Sequence, residues 1–330
     1  MTLEGKNVLL IAPSFFGYEQ DIISEIERLK GNVIYVNANP GKIFSSFING
    51  LRHFHLPYSW LVHRFENQVY LNISNKKYDI VFVICGWAIT SRLLLRIKNN
   101  VLTQNGKMYL YYWDSISLLK DDITRWLLFD RIFTFDQEDY QANSKIMNFL
   151  PLFYNRNYHS IANDSIHKYN LATIGSFKYD RYFTVERLKS NNSSINIFSY
   201  LYINRWEFYL HKIRKKYRNV LNHNLTFKKL GVTELMAIYS DCDAILDMPR
   251  TGQNGQTMRV FECLAMNKKI VTTNEFITTY DFYNPNNIYV LPLDSLTLPS
   301  KEWFQKPYEP LKERVLQKYS IQNWLNTIFS

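Results

Sequence analysis

"DAILDMPRTGQNGQTMRVFECLAMNKKIVTTN", residues 243–274, changes its hydrophobic pattern twice. "DAILDM" is an apolar run of strand length, "GQTMRVFECLAM" carries apolar residues at helical spacing, and "KKIVTTN" returns to β-branched residues. Between the first strand and the helix stand Pro249, Gly252 and Gly255. Strand, glycine loop, helix and strand in that order form a piece of a parallel sheet, because two parallel strands need a crossover between them. Ligands of doubly wound sheets bind beyond the carboxyl ends of the strands, and residues 249–254 leave such an end.

The same alternation extends outward in both directions. "NVLLIAPSFF" reads as a buried strand, "EQDIISEIERLKG" as an amphipathic helix, and "NVIYVNAN", "YDIVFVICG", "KMYLYYWD", "DRIFTFD" and "NFLPLF" as further strands. It lapses in the polar stretch "YNRNYHSIANDSIH" and restarts with "YNLATIGSF", the helix "DRYFTVERLKS" and the strand "INIFSYLYI". Thr233 is a natural N-cap for "ELMAIYS". The final "PYEPLKERVLQKYSIQNWLNTIFS" reads as helix, with Leu311, Val315, Leu316, Tyr319, Trp324 and Ile328 on its buried side. The expected architecture is α/β, with two Rossmann-like doubly wound domains facing a cleft. The expected boundaries are 1–154 for the first domain, 155–168 for a linker, 169–308 for the second domain and 309–330 for a helix returning to the first.

Composition restricts the chemistry. The chain has 330 residues, 46% of them hydrophobic and 21% charged, which suits a large folded core and not disorder. Its longest apolar runs, such as 8–13 and 80–85, fall far short of the roughly 20 residues of a membrane span. The N-terminus reads as a first strand, and no signal-peptide cleavage site follows it. Three widely spaced cysteines, Cys85, Cys242 and Cys263, in apolar contexts argue for a reducing cytoplasm. The net charge of +10 favours polyanionic partners: nucleic acid, anionic membrane or phosphate-bearing small molecules. Residues 204–229 hold eight Lys or Arg and a single acid, with Trp206, Tyr209, Leu210, Ile213, Tyr217, Val220 and Leu221 at helical spacing. A solvated basic face on a core-packed helix fits this pattern, and so does peripheral contact with an anionic membrane at the inner face of the cell. No nucleic-acid-binding signature accompanies it.

The opening segment has a chemistry of its own. Gly252 and Gly255 let the backbone approach a ligand without interference from a Cβ atom. The free N–H groups of the first helical turn, near Gly255, Gln256 and Thr257, suit a diphosphate, which the helix dipole also favours. Arg250 and Arg259 can neutralise phosphate charge, and Asn254 lies in the same loop. Glu262 lies seven residues past Gly255, about two helical turns, so both face one side. A carboxylate there accepts both vicinal hydroxyls of a ribose. "ATIGSFKYDR" adds Gly175 and Ser176 at a strand end with Lys178 and Arg181 close behind, a set suited to a departing nucleoside diphosphate.

These residues resemble the donor-binding end of GT-B glycosyltransferases, above all those building bacterial lipopolysaccharide, O-antigen and capsule. The resemblance is strongest over residues 232–289 and extends to "IGSFKYDR" and the final helix. It implies transfer of a sugar from a nucleotide-sugar donor to a growing, lipid-linked glycan, with Glu262 on the ribose and Gly255 in the loop. Many retaining members carry a second Glu eight residues before the first, where this chain has Asn254. No metal or cofactor is expected, because Arg250, Lys178 and helix N-termini can hold the diphosphate.

An inverting transfer needs a base for the acceptor proton. Asp114 and Asp136 end strands of the first domain and are the candidates, with Glu19 or a histidine as alternatives. "DSIS" also makes Asp114 a natural helix cap. Trp113 can stack on sugar C–H groups, and Gly17 can open the acceptor side. His53, His55 and His63 match no metal pattern. A dinucleotide-dependent oxidoreductase would follow its first strand with G-x-G-x-x-G, whereas "APSFFGYEQ" has one glycine. A degenerate, non-catalytic relative is the remaining alternative.

Overall fold

A computed structural model describes residues 1–39, 41, 59–85, 89–119, 123–158, 167–213, 220 and 225–330, the side chains of Leu210, His211 and Ile213 excepted. His53 and His55 lie outside the described residues, as do 159–166 of the expected linker and 214–219 and 221–224 of the basic segment. The chain divides into two compact units. One comprises Met1–Asn155, Gly252–Gly255 and Tyr319–Ser330, the other Arg156–Thr251 and Gln256–Lys318.

The first unit is built on a six-stranded sheet of β1 (Asn7–Ala12), β2 (Asn32–Asn37), β3 (Tyr78–Ile84), β4 (Leu102–Tyr112), β5 (Arg131–Thr134) and β6 (Met147–Phe149). Its order is β2-β1-β3-β4-β5-β6 and every pairing is parallel. Continuous burial of Val8 to Ala12 and of Val81 to Ile84 explains why these strands read as unbroken apolar runs: helices cover both faces of a parallel sheet.

The second unit repeats the plan with β7 (Tyr169–Ser176), β8 (Ile197–Tyr202), β9 (Leu225–Thr226), β10 (Cys242–Asp247), β11 (Lys269–Thr272) and β12 (Ile288–Val290). Its order is β12-β11-β10-β7-β8-β9, again all parallel. Strand order reverses between β1 and β3 in one sheet and between β7 and β10 in the other. Such reversals open a crevice at the carboxyl ends, because the flanking crossovers leave on opposite faces.

The C-terminal segment is two helices, not one. Glu313–Lys318 and Ile321–Phe329 are separated at Tyr319 and Ser320, where Tyr154 N–H donates to the Tyr319 carbonyl at 2.9 Å and Ile321 N–H to the Tyr154 carbonyl at 3.0 Å. Ser320 caps the second helix by accepting from Asn323 N–H at 3.2 Å. That helix closes the first sheet with aromatic rings: Trp324 lies 4.6 Å from Phe153, 4.8 Å from Tyr111 and 5.7 Å from Phe82. Leu311, Val315 and Leu316, expected to be buried, are only half-buried.

Two further expectations change. Gly231, not Thr233, precedes the Val232–Ser240 helix, and its N–H donates to the Glu234 carboxylate at 3.0 Å. Trp206 and Tyr209, which the core-packed reading of this helix would bury, are 79% and 62% exposed. The Arg205–Ile213 helix instead buries Phe208, which joins Phe177, Tyr182, Leu201, Ile203 and Val220. Trp206 and Tyr209 stand about 200° and 100° around the helix from Phe208.

Candidate functional site

In the second unit the reversal between β7 and β10 gathers a polar cluster. Asp247 ends β10 with its side chain 1% exposed. It accepts from Thr257 Oγ1 at 2.7 Å and from Arg259 Nη1 at 3.2 Å. Arg259 also donates to the Ile174 carbonyl and, from Nε, to the Tyr239 hydroxyl at 3.3 Å. Arg181, from the Tyr179–Asn191 helix, donates to the carbonyls of Ser176 and Met248, both at 2.8 Å. Gly175 leaves room for the Arg181 guanidinium, since a Cβ there would stand 2.8 Å from Arg181 Nη1 and push it aside.

The two guanidiniums are not equally compensated. Burial and then the Arg259 charge bring the Arg181 pKa down to about 10, with Asp247 opposing them only in part. Burial also works against the Arg259 charge, but Tyr239, Asp247 and Glu262 outweigh it and leave its pKa above the ordinary value. Arg181 is therefore the cation whose charge an incoming anion would stabilise.

Thr257 occupies the N-cap of the Met258–Ala265 helix, yet its hydroxyl is turned to Asp247 and no side chain caps the helix. The opening N–H groups thus belong to Met258 and its successors, one turn later than the expected Gly255 to Thr257, because the helix begins only at Met258. Glu262 is buried in the second turn, close enough to Arg259, Tyr239 and Cys263 to act on their ionisation. Gln256 is 1% exposed, and neither end of its amide finds a partner among the described residues. The same holds for Asp247 Oδ2. Buried polar atoms without partners are destabilising unless a ligand or water completes them. Lys178 and Arg250 are exposed.

The glycine loop has a different setting. Gly252 takes φ +81°, a conformation that glycine adopts without strain. Gly255 is buried, and a Cβ there would stand 2.4 Å from the Phe135 ring, so the neighbour it admits is Phe135 and not a ligand. Asn254 N–H donates to Asp136 Oδ2 at 3.1 Å, within the first unit.

That bond bears on Asp136 as a base. Its carboxylate caps the Gln137–Ala142 helix through Glu138 N–H at 3.0 Å and Asp139 N–H at 3.4 Å, and it also accepts from Ser115 Oγ. A carboxylate has about four lone-pair positions, and four donors occupy them. Asp136 is a structural cap, not a free base. Glu19 is likewise committed, to Ser14 Oγ at 2.8 Å and Phe15 N–H at 3.0 Å.

Asp114 remains half-buried just beyond β4, beside Cys85, whose thiol is pushed up to about 12 by burial and then by Asp114. The helix after Asp114 takes its acceptor from elsewhere: Ile116 N–H donates to Asp139 Oδ2 at 2.8 Å. Asp139 is pushed up to about 6, chiefly by burial, with Asp136 and Glu138 adding to it and the Ile116 N–H opposing. Asp139 lies three residues past Asp136, and nothing local in the sequence marks it, because its half-buried position is a tertiary property. Trp113 is half-buried, 6.1 Å from the exposed Phe15 ring. Gly17, at φ +89°, opens the Tyr18–Arg28 helix. His63 is exposed on the Ser59–Ile73 helix.

The sequence contains one Asp-x-Asp triplet, Asp241, Cys242 and Asp243, but it lies at the start of β10 and so at the amino ends of the strands, away from the cluster. There Asp243 meets His167 Nδ1 at 2.7 Å and Asn170 Nδ2 at 2.9 Å. Among the described residues no group of three His, Cys, Asp or Glu side chains could hold a metal ion, and no helix is long and apolar enough to cross a membrane.

No family model matches the chain, and no curated protein matches it in sequence. Solved structures do. The apo form of the lipopolysaccharide outer core galactosyltransferase WaaB aligns over 98% of this chain and 99% of its own, with 11% identity and a TM-score of 0.51. AviGT4, a glycosyltransferase involved in avilamycin A biosynthesis, covers 98% and 95%, with 11% identity and a TM-score of 0.56. A UDP-GlcNAc 2-epimerase from Methanocaldococcus jannaschii, in complex with UDP-GlcNAc and UDP, covers 98% and 99%, with 9% identity and a TM-score of 0.55. At such identities the likeness is one of fold. Two Rossmann-like sheets and a C-terminal helix that returns to the first sheet give the chain a GT-B fold from end to end.

Proposed function

We propose that the protein is a glycosyltransferase that moves a sugar from a nucleotide-sugar donor to a growing, lipid-linked bacterial glycan at the inner face of the membrane, without a metal or other cofactor. The observation that carries this reading is the convergence of Arg181, Arg259 and an uncapped helix on the β7/β10 reversal, with Arg181 short of negative charge. A diphosphate there receives helix N–H groups and a guanidinium whose charge it stabilises. Glu262, in the second turn, takes the ribose hydroxyls, and Lys178 and Arg250 add cations from the exposed side.

In the reaction, an acceptor hydroxyl oxygen attacks the anomeric carbon as the bond from that carbon to the diphosphate oxygen breaks. The nucleoside diphosphate leaves with the electron pair, and Arg181 and the helix dipole meet the charge that develops on it. The acceptor proton needs a base. Asp114 is the proposed one, and Asp139, with a pKa of about 6, is a second carboxylate suited to the role. Trp113 and Gly17 border the acceptor.

The fold likeness to UDP-GlcNAc 2-epimerases supports a second reading, in which the same site rearranges a UDP-sugar with no acceptor. A thermal-shift screen of UDP, GDP, CMP and dTDP with their sugars tests the shared premise, since a ligand at a hundred times its Kd stabilises the native state by about 2.7 kcal/mol. No shift with any nucleotide would end both readings. Acceptor-free incubation with UDP-GlcNAc then separates them: a 2-epimer formed without acceptor favours the second, and release of UDP only in the presence of a glycan acceptor favours the first.

A further inference from the structure

The Arg205–Ile213 helix and the chain just after β9 expose side chains that the nucleotide site does not use. Trp206 is 79% exposed, Tyr209 62% and Phe227 38%. Tyr209 and Phe227 flank one ring, that of Phe208, at 5.5 Å and 5.4 Å, and Trp206 lies three residues before Tyr209, on the same side of the helix. Arg205 Cζ lies 5.5 Å from the Phe227 ring centre, and the exposed Lys229 follows Phe227 by two residues. Lys212 Nζ lies 5.5 Å from the Phe208 ring while donating to the Val220 carbonyl at 2.9 Å. The acids here are Glu207 and Glu234, the latter paired with Lys228.

An exposed Trp and Tyr among cations are unfavourable in water, where each ring leaves apolar area hydrated. At the edge of an anionic bilayer the same residues are favourable. Indole and phenol rings settle at headgroup depth, and Arg and Lys meet lipid phosphate while their stems lie along the apolar boundary. We infer that this face, Trp206 and Tyr209 with Arg205 and Lys229, docks the protein on an anionic membrane surface. The inference takes the bilayer from the proposed function, but no residue in it belongs to the nucleotide cluster, so its failure would leave the nucleotide site untouched. Charge decides the occupant. A cation near an anionic surface contributes about 1 kcal/mol, roughly a fivefold gain in binding, and the aromatic pair distinguishes a bilayer from a soluble polyanion.

Flotation of the full-length chain with vesicles of phosphatidylcholine alone, and with phosphatidylglycerol added, tests this. The expected result is binding to the anionic vesicles only, weakened in roughly 0.5 M salt, where screening shortens to a few ångströms. Trp206→Ala with Tyr209→Ala should lower the partition coefficient at least about tenfold, and Arg205→Glu with Lys229→Glu by at least about twentyfold. Both double variants should keep the wild-type melting temperature and nucleotide binding, because the substituted side chains are exposed and outside the cluster. Wild-type protein that stays out of the anionic vesicle fraction, or that binds neutral vesicles equally, would overturn the inference. So would an aromatic double variant that floats like wild type. Tighter binding to a DNA oligonucleotide than to the vesicles, unaffected by the aromatic substitutions, would assign the face to a soluble polyanion instead.

Discussion

Arg181 and Arg259 approach the same missing side chain: a Cβ on Gly175 would stand 2.8 Å from one guanidinium and 3.9 Å from the other. Of the two guanidiniums Asp247 bonds only that of Arg259, so Arg181 keeps a charge that burial and its neighbour both oppose. Arg181→Gln should weaken nucleotide binding by about 1.5–3 kcal/mol, the range for a hydrogen bond to a charged group. Gly175→Ala should weaken it less, because the end of the Arg181 side chain can shift away. Calorimetric titration checks both, and unchanged affinity in Arg181→Gln would remove that residue from the site.

Glu262 is the second assignment to test. Its replacement by Ala should cost about 1–3 kcal/mol of affinity for a nucleotide, through ribose hydroxyls left unpaired. A control with the ribose replaced by deoxyribose should show a smaller difference between wild type and variant. If Glu262 serves only to hold Arg259 and Tyr239, the two ligands will lose affinity equally.

Asp139 yields a pH prediction. Its folded-state pKa of about 6 exceeds the ordinary 3.8, so the native chain holds this proton more tightly than the unfolded chain does. Stability from this group is therefore complete at low pH, falls as pH rises through that window, and stays reduced above it. Asp139→Asn keeps an oxygen for the Ile116 N–H and removes the buried charge. Its melting temperature should exceed that of wild type more at pH above about 7 than near pH 4. An equal difference at both would mean that Asp139 titrates normally.

The closing helix is the stability test. Trp324 is almost fully buried among Phe82, Tyr111 and Phe153. Trp324→Ala should destabilise the first unit by roughly 3–5 kcal/mol, as large-to-small core changes do. Chemical denaturation with a probe in each unit would show whether the loss is confined to the first.

Local pattern alone determined the sheet-and-helix alternation and the class of fold, because a strand buried on both faces must be a continuous apolar run and a crossover helix must be amphipathic. It also determined which segments carry the polar cluster: Gly175, Arg181, Thr257, Arg259 and Glu262 are legible as a glycine, two cations, a hydroxyl and a carboxylate near strand ends. What they contact was decided by the tertiary structure. Arg259 reaches the Ile174 carbonyl and Arg181 the Met248 carbonyl because strand order sets β7 beside β10, which no local window contains. Asp136 spends its lone pairs on a cap and on Asn254, more than a hundred residues away in sequence. Phe208, not its neighbours Trp206 and Tyr209, faces the core. Periodicity marks residues that can share a helical face; which face is buried depends on what the rest of the chain packs against it.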